Sequence, residues 1–265
     1  MTPEGITIKT PAQLEKMRAS GRLLATIMDQ LVRRIEPGIT TKDLDQLAEK
    51  MINEAGGTPA FKGYMGYPAS ICASRNEQVV HGIPNRTKLR NGDILSLDIG
   101  ICYKEYYGDM AVTVPVGNVA PEIVKLLKVT KESLYKGIEK ARAGNRLGDV
   151  SHAIGSHAEK NGFSVVRDYV GHGIGKAMHE PPKIPNFGAP DTGVRLRPGM
   201  VLALEPMVNC GTYDVELLQD HWTVVTRDRK WSAHFEHSVA ITQNGPQILT
   251  DRFSKVTKKE KEATQ

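Results

Sequence analysis

The chain of 265 residues is 40% apolar and 25% charged, a balance that suits a folded protein with a sizeable core and excludes a disordered or fibrous one. Its formal net charge of +5 owes much to the run Lys255-Val-Thr-Lys-Lys-Glu-Lys-Glu, so residues 252–265 read as a solvated basic tail; no nucleic-acid motif accompanies it, and no specific nucleic-acid partner is expected. No apolar run approaches the roughly 20 residues of a membrane span and no signal sequence opens the chain, so no membrane partner and a cytoplasmic location are expected. Cys72, Cys102 and Cys210 lack any CxxC pairing and read as buried or pocket thiols in a reducing compartment.

Thr10 before Pro11 predicts a helix start, an N-cap oxygen followed by a proline where a missing N–H costs nothing. Leu14, Met17, Leu24, Ile27, Met28, Leu31 and Ile35 follow at helical spacing, and Pro37-Gly38 ends the run. A second helix is predicted from Thr41 to Glu54, closed by Gly56-Gly57. From Ser70 to Val116 the pattern turns to β, with Val79, Val80, Ile94, Leu95, Leu97, Val112 and Val114. The cycle then repeats: helices from Pro121 to about Ala143 and from Leu147 to Asn161, then strand-like material from Ser164 to Ile248. Gly38, Asp43, Leu44 and Gly56 recur at a constant offset as Gly144, Asp149, Val150 and Gly162. Two αα-then-ββ halves, about 10–117 and 121–248, with no linker between them, predict a single α+β domain. Its strands are expected to merge into one central sheet with helices outside.

A ten-residue phrase also occurs twice, each copy ending in a carboxylate: Leu89-Arg-Asn-Gly-Asp-Ile-Leu-Ser-Leu-Asp98 and Leu196-Arg-Pro-Gly-Met-Val-Leu-Ala-Leu-Glu205. Downstream, Asp109-Met-Ala-Val-Thr-Val matches Glu236-His-Ser-Val-Ala-Ile. A hairpin turning at Tyr103-Lys104 would set Asp98 opposite Asp109, with Cβ atoms ~5 Å apart. Two carboxylates that close repel when both are ionised, and a cation between them removes the conflict. Four such acids repeated by pseudo-symmetry point to a pair of divalent metals. Within Gly171-His172-Gly173-Ile174-Gly175 the glycines let the backbone bend closely around His172, which adds a nitrogen ligand. Carboxylate oxygens with one imidazole suit Mn(II), Fe(II), Co(II) or Zn(II). His81-Gly82-Ile83 repeats in the other half as His172-Gly173-Ile174, which draws His81 toward the same site. His179-Glu180-Pro181-Pro182 is no HExxH helix, and neither a P-loop nor a GxSxG elbow is present.

The stretches Asn76-Glu77-x-Val-Val-His81-Gly-Ile-Pro, Gly171-His-Gly-Ile-Gly-x-x-x-His179-Glu-x-Pro and Pro198-Gly-Met-x-x-x-x-Glu205-Pro resemble the methionine aminopeptidases over roughly residues 6 to 250. With neither a zinc-binding extension nor a large insertion, the chain is similar to the compact type I form of bacteria and organelles. The resemblance implies the pseudo-twofold "pita-bread" fold, a central antiparallel sheet with helices on its outer face. It implies two divalent metal ions, one chelated by Asp98, with Asp109 and Glu236 bridging both and His172 and Glu205 completing the second. Glu205 would also accept and deliver the proton, His179 would steady the carbonyl oxygen, and His81 would hydrogen-bond near the scissile nitrogen. Tyr64, Tyr67, Cys72 and Trp222 would build the methionine pocket, and Phe61 and Met178 depart from the family's usual residues there. The implied activity removes N-terminal methionine from nascent polypeptides whose second residue is small, by a monomer with a transient ribosome contact. An X-Pro aminopeptidase or prolidase uses the same five ligands but commonly carries a large N-terminal domain, and a non-catalytic binder on this scaffold typically loses ligands.

Overall fold

The computed structural model describes residues 5–252, so the expected basic tail lies, from residue 253 onward, outside the described residues. Helix α1 (Pro11–Val32) opens on a reciprocal cap: Thr10 Oγ1 accepts from the Gln13 N–H at 3.3 Å, and Gln13 Oε1 accepts from the Thr10 N–H at 2.8 Å. It stops short of Ile35 because Arg34 and Ile35 turn back to bond the carbonyls of Leu31 and Val32, the tightening that satisfies a last helical turn. Helix α2 (Thr41–Glu54) matches its predicted span, and α3 (Pro121–Lys140) and α4 (Leu147–Lys160) form the second pair.

The repetition seen in sequence is physical. The Asp43 carboxylate accepts from the Thr40 N–H at 3.1 Å, and the Asp149 carboxylate accepts from the Arg146 N–H at 2.8 Å. Gly38 and Gly144 sit at φ of 103° and 96°, and each donates its N–H to the leucine that opens one copy of the repeated phrase, Leu89 or Leu196. Both helix pairs are thereby tied to the start of the repeated phrase that leads to Asp98 or Glu205.

In the first half, β1 (Thr58–Pro59), β2 (Ile71–Arg75), β4 (Ile94–Tyr103) and β5 (Tyr106–Pro115) form an antiparallel sheet, with β5 along one edge of β4 and β2 and β1 along the other. The short β3 (Gln78–Val80) leaves this sheet to pair elsewhere. In the second half, β6 (Ser164–Val165) precedes β7 (Gly171–Gly173), β8 (Glu180–Ile184), β9 (Val201–Leu204) and β10 (Met207–Asn209). Then come β11 (Val215–Leu217), β12 (Val224–Thr226), β13 (Ser232–His234), β14 (His237–Thr242) and β15 (Gly245–Ile248). The order β15-β14-β9-β7-β8 makes a five-stranded sheet, and β13-β10-β6 and β11-β12-β3 make two three-stranded sheets.

The expected single continuous sheet is therefore divided, and the two principal sheets meet at a seam between β5 and residues 234–238. There Ser238 Oγ accepts from the Asp109 N–H at 3.1 Å and donates to the Asp109 carbonyl at 2.8 Å. Thr113 Oγ1 does the same for His234, and the Glu236 N–H donates to the Ala111 carbonyl at 2.9 Å. Hydroxyls stand where a regular ladder would have backbone, so the ladder breaks while its hydrogen bonds are kept. One large core, including Leu24, Met28, Leu31, Leu97, Ile99, Leu126, Ile154 and Leu202, runs through both halves. Among the described residues no helix is long and apolar enough to cross a membrane.

Candidate metal centre

The ends of the seam strands converge on one cavity of about 170 Å³. That volume is nearer to one side chain than to the roughly 300–1,000 Å³ of a drug-sized pocket. A larger open groove between α3 and α4, about 510 Å³, is lined by solvated Lys136, Lys140, His152 and Lys160 and holds no comparable set of enclosed groups. Asp98 reaches the small cavity from β4, Asp109 from β5, His172 from β7, Glu205 from the residue after β9 and Glu236 from the residue before β14. His81, His179, Phe61, Tyr64, Tyr67, Cys72, Met178 and Trp222 line it as well, so every site residue read from the sequence faces the same space.

The hairpin geometry differs from the expectation. Its turn is Lys104-Glu105, closed by Tyr103 opposite Tyr106, which pairs Asp98 with Ala111 and Gly100 with Asp109. The two aspartates are thus diagonal neighbours on one face rather than directly opposed. Both turn residues take positive φ, 50° and 68°, the handed turn that matches strand twist, and this moves the register. The glycines about His172 also act differently from the expected bend. Gly173 keeps an ordinary φ, yet a β-carbon there would lie 2.1 Å from the Pro181 carbonyl oxygen. The glycine is required for close strand packing that presses His172 into the site.

Ligand-type atoms of Asp109, His172 and Glu236 lie within 4.8 Å of one another, all three buried. His172 Nδ1 lies 2.8 Å from the Gly173 carbonyl, to which it donates, so Nε2 carries the free lone pair. That Nε2 stands 3.7 Å from Asp109 Oδ2 and 3.7 Å from Glu205 Oε1, too far for direct hydrogen bonds. Burial, with His179 adding to it, pushes the imidazole down to about 4, which keeps it neutral. The acids move the other way. Desolvation first, then Glu205, raises Asp98 to about 7 against the opposing pull of His234, and desolvation raises Glu205 to about 8. Asp109 and Glu236 are raised well above the carboxylate range by burial and then by each other's neighbours in the cluster.

One oxygen each of Asp98, Asp109 and Glu236 is enclosed without a hydrogen-bond partner. Crowded acids with orphaned oxygens around a neutral imidazole are poorly satisfied by protein alone, and this donor set fits divalent cations.

Around the acids stands an apolar wall. Tyr67 donates its hydroxyl to the carbonyls of Ile71 and Gly82, leaving its ring edge-on to Trp222 at 5.0 Å. Trp222 is fixed by its backbone N–H, which donates to Asp220 Oδ1 at 2.9 Å. At the mouth the Tyr64 hydroxyl lies 2.8 Å from His179 Nδ1, and the His179 ring lies 4.2 Å from that of His172. Burial, then His234 and His179, lowers His81 to about 4.

Two residues were missed by sequence reasoning. His234 is enclosed, its Nε2 unpartnered and 3.6 Å from Glu205 Oε2. Its signal was the i, i+2 spacing to Glu236, which places both on one face of an extended segment. Met65 lines the rim, 83% exposed at φ 49°, and nothing in the sequence distinguished it from a turn residue.

Residues 15–243 match the sequence profile of Metallopeptidase family M24, and the chain belongs to that family. It is 54% identical to methionine aminopeptidase 1 of Bacillus subtilis over 92% of this chain and 99% of that one. It is 52% identical to methionine aminopeptidase of Clostridium perfringens over 92% of this chain and 98% of that one. Among solved structures, methionine aminopeptidase of Rickettsia prowazekii superposes with TM-score 0.92 at 44% identity, covering 93% of this chain and 100% of that one. These likenesses lie with the methionine aminopeptidases within the family. A prolidase from Pyrococcus horikoshii, at 19% identity and TM-score 0.75 over 92% of this chain and 63% of that one, shares the pita-bread fold alone.

Proposed function

We propose that this chain hydrolyses the first peptide bond of polypeptides, releasing N-terminal methionine where the second residue is small. The observation that carries the reading is a single cavity with crowded acids and a neutral imidazole on one side and Phe61, Tyr67, Cys72, Met178 and Trp222 on the other. An apolar wall with sulfur and aromatic faces suits a thioether side chain. Asp98, Asp109, His172, Glu205 and Glu236 would hold two divalent cations. When bound, the cations supply Lewis acidity that polarises the scissile carbonyl and acidifies the attacking water. Glu205, enclosed beside the other acids, would take a proton from the attacking water and return it to the leaving amide nitrogen. His179, at the mouth, would donate to the carbonyl oxygen as it gains charge, and His81 would bond near the scissile nitrogen. The two repeated halves act as one catalytic domain. A cytoplasmic location, a monomeric state and a transient ribosome contact through the basic surface complete the reading, the last resting on the net charge of +5.

Chelator-stripped protein, resupplied with Mn(II) or Fe(II), is tested on Met-Ala-Ser, on Met-Lys-Ser and on Gly-Pro. Metal-dependent release of methionine from Met-Ala-Ser alone is expected. Cleavage of Gly-Pro instead would make the chain a proline-directed peptidase, and equal turnover of Met-Lys-Ser would remove the small-residue rule. No turnover of any peptide would leave a binding protein.

A further inference from the structure

The turn that carries His179 is held from within by an ion pair that lies outside the cavity. Residues 174–179 close the hairpin of β7 and β8, whose last ladder pair is Gly173 with Glu180. Glu180 folds its carboxylate back under this turn, and its Oε1 accepts from the N–H groups of Lys176 at 2.8 Å and Ala177 at 3.3 Å. Its Oε2 accepts from Lys9 Nζ at 2.7 Å, with the two side chains only 3% and 10% exposed. A β-carbon on Gly175 would lie 2.4 Å from Glu180 Oε1 and 2.6 Å from Lys9 Cε, so the turn is wrapped tightly over the pair. Lys9 is anchored in turn, its N–H donating to the Gly199 carbonyl at 2.8 Å, just ahead of the strand that leads to Glu205.

Neither Lys9 nor Glu180 lines the cavity, whereas Met178 and His179 do. A buried carboxylate that loses its cation is left with an uncompensated charge, and the groups it organises move with it. We propose that Lys9 is a positioning residue: through Glu180 it fixes the turn that holds His179 against Tyr64 and beside His172, and it acts on the reaction without touching substrate. The inference rests on the reading that His179 meets the scissile carbonyl.

Lys9→Met and Glu180→Gln are each made with His179 present and in a His179→Ala background, in the full-length metal-loaded protein with Met-Ala-Ser. With His179 present, kcat is expected to fall about ten- to a hundredfold while KM moves less than about threefold, because the lost contact forms as charge develops. In the His179→Ala background the same substitutions cost less than about twofold more, since residues acting as a unit are not additive. Lys9→Arg, which keeps the cation, recovers most of the loss. Equal fold-losses in both backgrounds, or unchanged kcat in both variants, overturn the proposal. If Lys9→Met does not fold, Glu180→Gln and Lys9→Arg make the same comparison. A second readout needs no turnover: the His179 ring resonances in Zn(II)-loaded protein, assigned by their loss in His179→Ala. They are expected to shift in Lys9→Met and Glu180→Gln, and unmoved resonances overturn the positioning role. Should the wild-type chain release no methionine, the hydrolytic reading fails and these resonances alone decide the role of Lys9.

Discussion

Asp98 and Gly100 lie two residues apart on the same face of β4, Asp98 lining the cavity with the other acids and Gly100 backing its apolar wall at Phe61 and Met178. Asp98 keeps one oxygen without a protein partner. Asp98→Asn retains the shape and removes the charge, so metal-dependent methionine release is expected to fall by more than the roughly 10–100-fold typical of losses around a ligand. Steady-state assay with saturating metal checks this, and full activity in the variant would remove Asp98 from the site. Gly100 stands where a β-carbon would be 2.8 Å from Phe61 Cε1 and 3.1 Å from Met178 Cε. Gly100→Ala is therefore expected to shrink the apolar end, raising KM for Met-Ala-Ser about tenfold, the scale of one methylene in a hydrophobic pocket. A KM unchanged in the variant would mean that methionine sits elsewhere. The four acids were legible because they recur in pairs, Asp98 with Glu205 and Asp109 with Glu236, as does His81 with His172, whereas His179 has no such counterpart. His234 aligns with Tyr107 in the first half, so repetition could not reveal it.

At the scale of elements, the seam decides the site's shape. Ser238 serves both the N–H and the carbonyl of Asp109, in a setting closed to solvent. Ser238→Ala leaves both groups of a candidate ligand unsatisfied, at about 1–3 kcal/mol for such a buried loss. Urea titration should show that drop, together with weaker metal binding by calorimetry; a Ser238→Ala protein matching the parent in both would mean that the seam has other support. Helix starts were legible to the residue because caps are local chemistry, with Thr10 and Pro121 marking starts by themselves, whereas α1 and α3 each end about three residues before the expected stop. Strand register was not. The Lys104-Glu105 turn uses two residues that rarely favour positive φ, so no Asn-Gly or Asp-Gly signal announced it, and a shift of one residue in the turn moved Asp109's partner from Asp98 to Gly100. The break between the two sheets depends on hydroxyls meeting across the chain, which spacing along the sequence does not encode.

For the whole molecule, enclosed acids couple stability to pH and metal. Asp98 rises from 3.8 to about 7 and Glu205 from 4.5 to about 8. Between those limits the native chain holds protons that the unfolded chain releases. The metal-free protein thus has the full contribution of these groups below about pH 4 and loses it as pH climbs through the folded values. Cations displace the protons and relieve the repulsion, so added Mn(II) is expected to raise Tm more at about pH 8 than at about pH 5. Calorimetry of chelated and metal-loaded protein at both pH values checks this, and equal metal-induced shifts would show that these acids are not the coupled groups.

The seam also sets a timetable. Asp98 and Asp109 leave the ribosome early, while Ser238 and Glu236, which complete their surroundings, belong to the last strands to emerge. A half-made molecule thus has a pair of mutually repelling acids without the Ser238 hydroxyl that braces Asp109 and without the acids of the second half. On the proposed activity, catalysis switches on only after β14 has been threaded into position.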